Sequence, residues 1–211
     1  MSERILGERT GFCYDMRMRR YVFTIGLLTL ILSGFAGDSF ATALVKTNLA
    51  DMTARSGVIL VGTCQKKAST SVPGIFGRAR SVTTWTFSVK ESLKGAAKSG
   101  ADFQFKQVGL PYDIGKEYLL FLVPLPAGLW VPSGMMQGAF TITTAADGSR
   151  VVSNSLGNQF LFQGMSPDTA APQSTLSKSV KAHGDGASGP VSLEQMREMV
   201  QQLQTKGTPI P

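Results

Sequence analysis

The chain has 211 residues, 43% of them hydrophobic and 17% charged, with a formal net charge of +7. This composition excludes wholesale disorder and sets a single domain with tails as the expectation. Two cysteines and one histidine exclude a disulfide-stapled scaffold, a cysteine-based zinc module and a multi-histidine metal centre.

The N-terminal region reads as an export signal. Met16-Arg17-Met18-Arg19-Arg20 is a compact basic stretch, Tyr21 to Gly37 carries no charge, and Ala41-Thr42-Ala43 has the small-x-small pattern of a signal-peptidase site. That order defines a secretory signal over residues 1–43, cleaved between Ala43 and Leu44. An uncleaved Tyr21–Gly37 anchor in the inner membrane is the rival, but the stretch is short for a span and is interrupted by Gly26 and Gly34. Residues 1–15 are unusual ahead of such a signal, and Met16 or Met18 offers an alternative start. The mature chain is expected in the periplasm or outside the cell, without a membrane span. Cys13 leaves with the signal, so Cys64 has no partner for an intramolecular disulfide; its apolar neighbours point to a buried thiol, with a reactive one as the alternative.

Asn48 to Ser56 has a capping residue and a terminal Gly57, which predicts a short helix. Val58 to Cys64 is apolar on both faces, as a central strand requires. Residues 65–80 are read as a loop, on the turn residues Pro73-Gly74 and Gly77. Ser81 to Val89 alternates, with Thr83, Trp85, Phe87 and Val89 on one face. Asp102–Val108, Tyr118–Val123, Leu129–Val131 and Ala139–Thr144 follow as strands, Asp147-Gly148 turns into Arg150–Val152, and Phe160–Phe162 ends the apolar series. Such spacing predicts a mainly β domain over 44–165, a sandwich or a small barrel. Residues 166–190, rich in Ser, Ala, Pro, Gly and Lys, read as a flexible linker. Ser192-Leu193-Glu194-Gln195 is a capping box opening an amphipathic helix over 191–204, with Leu193, Met196, Val200 and Leu203 as its stripe and 205–211 as a tail. A helix this short must dock, on the barrel or on a partner.

Catalytic motifs fail one by one. Gly184-Asp185-Gly186-Ala187-Ser188-Gly189 matches a dinucleotide fingerprint in letters but has no buried strand before it. Gly57 to Gly62 begins like a phosphate loop, yet Thr63 stands where the lysine is needed. His183, the sole candidate base, falls in the expected linker. Asp102, Asp113 and Glu117 are the carboxylates that could support acid–base work, but surface solubility is the favoured account of all three. No cofactor, metal or catalytic residue is expected. Lys66, Lys67, Arg78 and Arg80 form a candidate polyanion contact, with simple solvation the commoner outcome, and Trp130, between Gly128 and Pro132, is a candidate surface contact, with core packing the favoured account.

Taken in order, Val61-Gly62-Thr63, Leu93-Lys94-Gly95, Gly115-Lys116-Glu117-Tyr118-Leu119-Leu120-Phe121-Leu122 and Gln137-Gly138 resemble a group of exported bacterial proteins. Their core is similar to the netrin-like OB barrel of tissue inhibitors of metalloproteinases, so the resemblance implies a small five- to six-stranded OB-like barrel closed around its own aromatic rings. The resemblance spans roughly residues 47–165 and implies a non-enzymatic interaction module, with a secreted metalloprotease as a partner by analogy and no nucleic acid expected in that compartment. Those inhibitors grip zinc through an N-terminal cysteine. The expected mature end here is Leu44, so inhibition by that route has no residue to carry it.

Overall fold

The computed structural model describes residues 46–73, 79–166, 174–183 and 188–205. The chain divides into two units, Met1–Ala43 and Leu44–Pro211, and every described residue belongs to the second. The expected signal segment with its Ala43–Leu44 site, Arg78, and Gly184–Ala187 lie outside the described residues.

The domain is mainly β and OB-like. Eight strands pair antiparallel: β1 (Val58–Pro73), β2 (Ala79–Lys94), β3 (Asp102–Gln107), β4 (Glu117–Pro124), β5 (Trp130–Pro132), β6 (Ala139–Thr144), β7 (Arg150–Asn154) and β8 (Val191–Ser192). Their order is β3-β2-β1-β4-β6-β7-β8, with β5 on β4. Helix α1 (Leu49–Arg55) precedes β1, and α2 (Thr175–His183) and α3 (Leu193–Thr205) come late in the chain.

β1 and β4 are apolar on both faces because each separates two cores. Val58, Leu60 and Cys64 of β1, with Tyr118, Leu120 and Leu122 of β4, face a concave side filled by Trp85, Phe87, Phe105 and Tyr112. The alternate residues Ile59, Val61, Leu119 and Phe121 face the other way, under Leu49 and Met52 of α1, Leu176 and Val180 of α2, and Met196, Met199 and Val200 of α3. Irregularities at Ile59/Leu60, Val61/Gly62 and Cys64/Lys66 add twist to the β1–β2 pair and curl the sheet toward its aromatic side.

The curl stops short of the expected closed cylinder. β3 and β5 approach through a single parallel bridge, Lys106 to Leu129, with Phe103 edge-on to Trp130 at 6.0 Å across the seam. The strand path stays open because β4 spends its second edge on both β5 and β6, which carries the sheet outward to β7 and β8.

Four local expectations are corrected. Residues 65–73 and 79–80 are not loop: β1 and β2 stay in register from Lys66–Thr86 out to Pro73–Ala79, a two-stranded ribbon exposed from Gln65 to Ser71. Phe160–Phe162 is not a strand but a series of turns, with Leu161 and Phe162 buried in the helix-side core. The expected linker contains α2, held by buried Leu176 and Val180. His183 is consequently not free in a linker: it ends α2, its ring 5.0 Å from that of Phe162 and its Nδ1 2.9 Å from the Ser179 carbonyl.

Helix α3 docks in cis. The Ser192 hydroxyl accepts from the Gln195 N–H at 3.1 Å, as the capping box requires, and Leu193, Met196, Met199, Val200 and Leu203 are buried. Arg197 pairs with Glu91 of β2 at 2.5 Å. Among the described residues no helix is long and apolar enough to cross a membrane.

Candidate functional site

The resembling motifs turn out to be joints of the fold. Lys94 donates to the carbonyls of Thr53 and Ala54 at 2.7 and 3.2 Å, satisfying carbonyls that the end of α1 leaves open. Gly95 follows at φ +86, and a Cβ there would sit 2.0 Å from the Gly57 carbonyl oxygen, so only glycine lets the two segments touch. Gln137 accepts from the Thr47 N–H at 3.0 Å and donates to Gly134 O at 3.1 Å, tying the chain before α1 to the turn before β6. None of these groups is poised for chemistry.

The expected site residues do not converge. Asp102 opens β3, paired in register with Ser88, and Asp113 is matched by Lys116 at 2.7 Å. Glu117 lies between Lys90 at 3.2 Å and Arg150 at 2.5 Å. Three carboxylates with separate roles do not make an acid–base pair. Among the described residues no three His, Cys, Asp or Glu side chains gather as metal ligands. Cys64 is buried, and burial, with the Asp113 charge second, pushes its thiol above the usual value.

The loop cations are likewise spread. Lys66 and Arg80 share one face of the ribbon, since their cross-strand partners Thr86 and Val72 are an even number of residues away. At about 3.3 Å per residue they stand about 20 Å apart. Lys67 projects on the other face, with its Nζ 5.6 Å from the centre of the Trp85 ring. Trp130 is half-buried in the barrel wall, packed on the concave core.

A cleft that no motif announced lies on the concave side where the sheet runs past the curl. Its volume is about 370 Å³. The floor is one row across three strands, Tyr118–Thr141–Ser153, joined by Ala139 and Asn154. One wall is the segment Leu110–Asp113; Met136 and Ser155 form the other. The first wall is rigidly seated. Tyr112 is buried among Trp85 at 5.1 Å, Phe87 at 5.3 Å and Tyr118 at 5.3 Å, and donates to Gln107 Oε1 at 3.1 Å. The Tyr118 hydroxyl accepts from the Asp113 N–H at 2.9 Å. Burial pushes both phenols above their ordinary value. Asn154 is held by its own contacts, accepting from the N–H groups of Leu156 and Asn158 and donating to Gln137 O.

The rims are what distinguish this cleft. Met136, which lines the cleft, is 39% exposed and its neighbour Met135 54%, while Val108 and Ile114, on either side of Leu110–Asp113 in the chain, are 46% and 63% exposed. Gly134 and Met135 both sit in the left-handed region, at φ 61 and 59, a conformation that disfavours a side chain. Apolar side chains exposed at a concavity mark an interaction site more often than scattered surface leucines do.

The chain matches no protein-family model and no curated protein.

Proposed function

We propose that this is an exported, non-enzymatic interaction module that receives a partner protein in the cleft between Leu110–Asp113 and Met136. The observation that carries the reading is a concavity of ligand-binding size lined by the exposed Met136, with further exposed apolar residues next to its lining segments in the chain. Export rests on the order of Met16–Arg20, Tyr21–Gly37 and Ala41–Ala43. The resemblance to the netrin-like core favours a secreted protease, a metalloprotease in particular, as the partner, docked without zinc chelation.

Site-specific crosslinking tests the reading. A photo-reactive residue at Met136 of the full chain, irradiated in the exporting cell, should capture one dominant protein, whereas the same group at exposed Lys98 should not. Capture of nothing, or equal capture from both positions, rejects the cleft as the docking site. N-terminal sequencing of the exported product should begin at Leu44; an intact Tyr21–Gly37 segment would replace export with anchoring.

The polyanion reading is the weaker one, because Lys66, Lys67 and Arg80 neither share a face nor cluster.

A further inference from the structure

We propose that Met135 and Met136 form a site of reversible thioether oxidation that switches the cleft rim from apolar to polar. Six methionines lie among the described residues. Met52, Met196 and Met199 are fully buried, and Met165 is half-buried against the helix-side core. Of these six, only the adjacent pair 135–136 is exposed. Accessibility governs which thioether a small oxidant reaches. The co-reactant is a peroxide. A sulfur lone pair attacks one peroxide oxygen, the O–O bond breaks, and the departing oxygen leaves as water after proton transfer. Sulfur is oxidised by two electrons to the sulfoxide, and hydrogen peroxide is reduced to water.

A sulfoxide is polar where the thioether was apolar. Met136 lines the cleft directly, so oxidation there changes the surface that an apolar occupant must cover, while the buried methionines, all in the helix-side core, stay reduced. This consequence rests on the cleft being the docking site; the oxidation pattern does not.

The test treats the full chain with dilute hydrogen peroxide and maps sulfoxides by peptide mass spectrometry over time. Met135 and Met136 should oxidise at least about tenfold faster than Met52, Met196 and Met199. Uniform oxidation, or Met165 oxidised first, overturns the site. In parallel, the neutral dye Nile red reports the cleft: its affinity should fall by about tenfold on oxidation and return after treatment with methionine sulfoxide reductase. The M135L/M136L variant should bind the dye and ignore peroxide. Selective oxidation without any change in dye affinity overturns the switch. Absence of dye binding before oxidation counts against the cleft reading instead, and leaves the peptide map to decide the oxidation site. If the double variant fails to fold, the reductase reversal on the unmodified chain still decides the switch.

Discussion

Two glycines with almost the same backbone angle separate conformation from contact. Gly95 and Gly148 have φ of +86 and +83, but a Cβ on Gly95 would collide with the Gly57 carbonyl whereas one on Gly148 would meet nothing. Gly148→Ala should therefore cost about 1 kcal/mol, the strain alone. Gly95→Ala adds a displaced backbone and should cost about 3 kcal/mol, measured by urea unfolding. The concave core makes its own residue-scale prediction. Cys64, Tyr112 and Tyr118 are buried as neutral groups and hold their protons beyond the usual 9.0 and 10.0. The unfolded chain ionises first, so their contribution is complete below about pH 9 and is lost as pH rises through the folded values. Lys94, whose desolvated ammonium gives up its proton more readily, works in the opposite direction and softens the fall. Melting temperature should decline above pH 9, and Tyr112→Phe, which removes one ionisable group, should make the decline shallower.

Among the elements, α3 shows how a marginal helix becomes structural by docking. Met196 is fully buried between sheet and helices, so Met196→Ala should cost about 2–5 kcal/mol by denaturant unfolding. Gln201→Ala, on the exposed face of the same helix, should stay within about 0.5 kcal/mol. This helix was legible because its capping box and stripe are both written in adjacent residues. Helix α2 was not: its buried face is one i, i+4 pair, Leu176 and Val180, completed by buried Ser177 and Ser179, and serine carries no hydrophobic period. The distal ribbon escaped for the converse reason. Gln65 to Ser71 is wetted on both faces, so there is no alternation to read, and its strand character comes entirely from pairing with β2. Strands with one buried face, such as Ser81–Val89 and Ala139–Thr144, declared themselves through period two.

At the level of the whole molecule, the mainly β class follows from strand spacing and the helices Leu49–Arg55 and Leu193–Thr205 from their caps, but closure follows from neither. Whether β4 offers its second edge to one strand or to two is decided by packing that no short window of sequence records. The cleft is invisible for the same reason: its lining comes from 110–113, 118, 136, 139, 141 and 153–155, segments brought together by tertiary structure, the β4-β6-β7 pairing among it. Its one local trace was Met135-Met136, two large apolar residues set in a glycine-rich turn. The ribbon carries a different global consequence. From Met52 to Lys90 the chain has no acidic residue, and beyond Cys64 and before Thr83 the outer edges of β1 and β2 have no sheet neighbour among the described residues. Such edges are templates for another copy, and like charge is what keeps copies apart. In 1 M salt, where charges are felt over only about 3 Å, that guard is removed. The average mass by sedimentation should then rise reversibly, and Lys66→Thr with Lys67→Thr should bring the same association at ordinary ionic strength. Colloidal behaviour, on this account, is governed by three cations on a pair of strands rather than by the net charge of the chain.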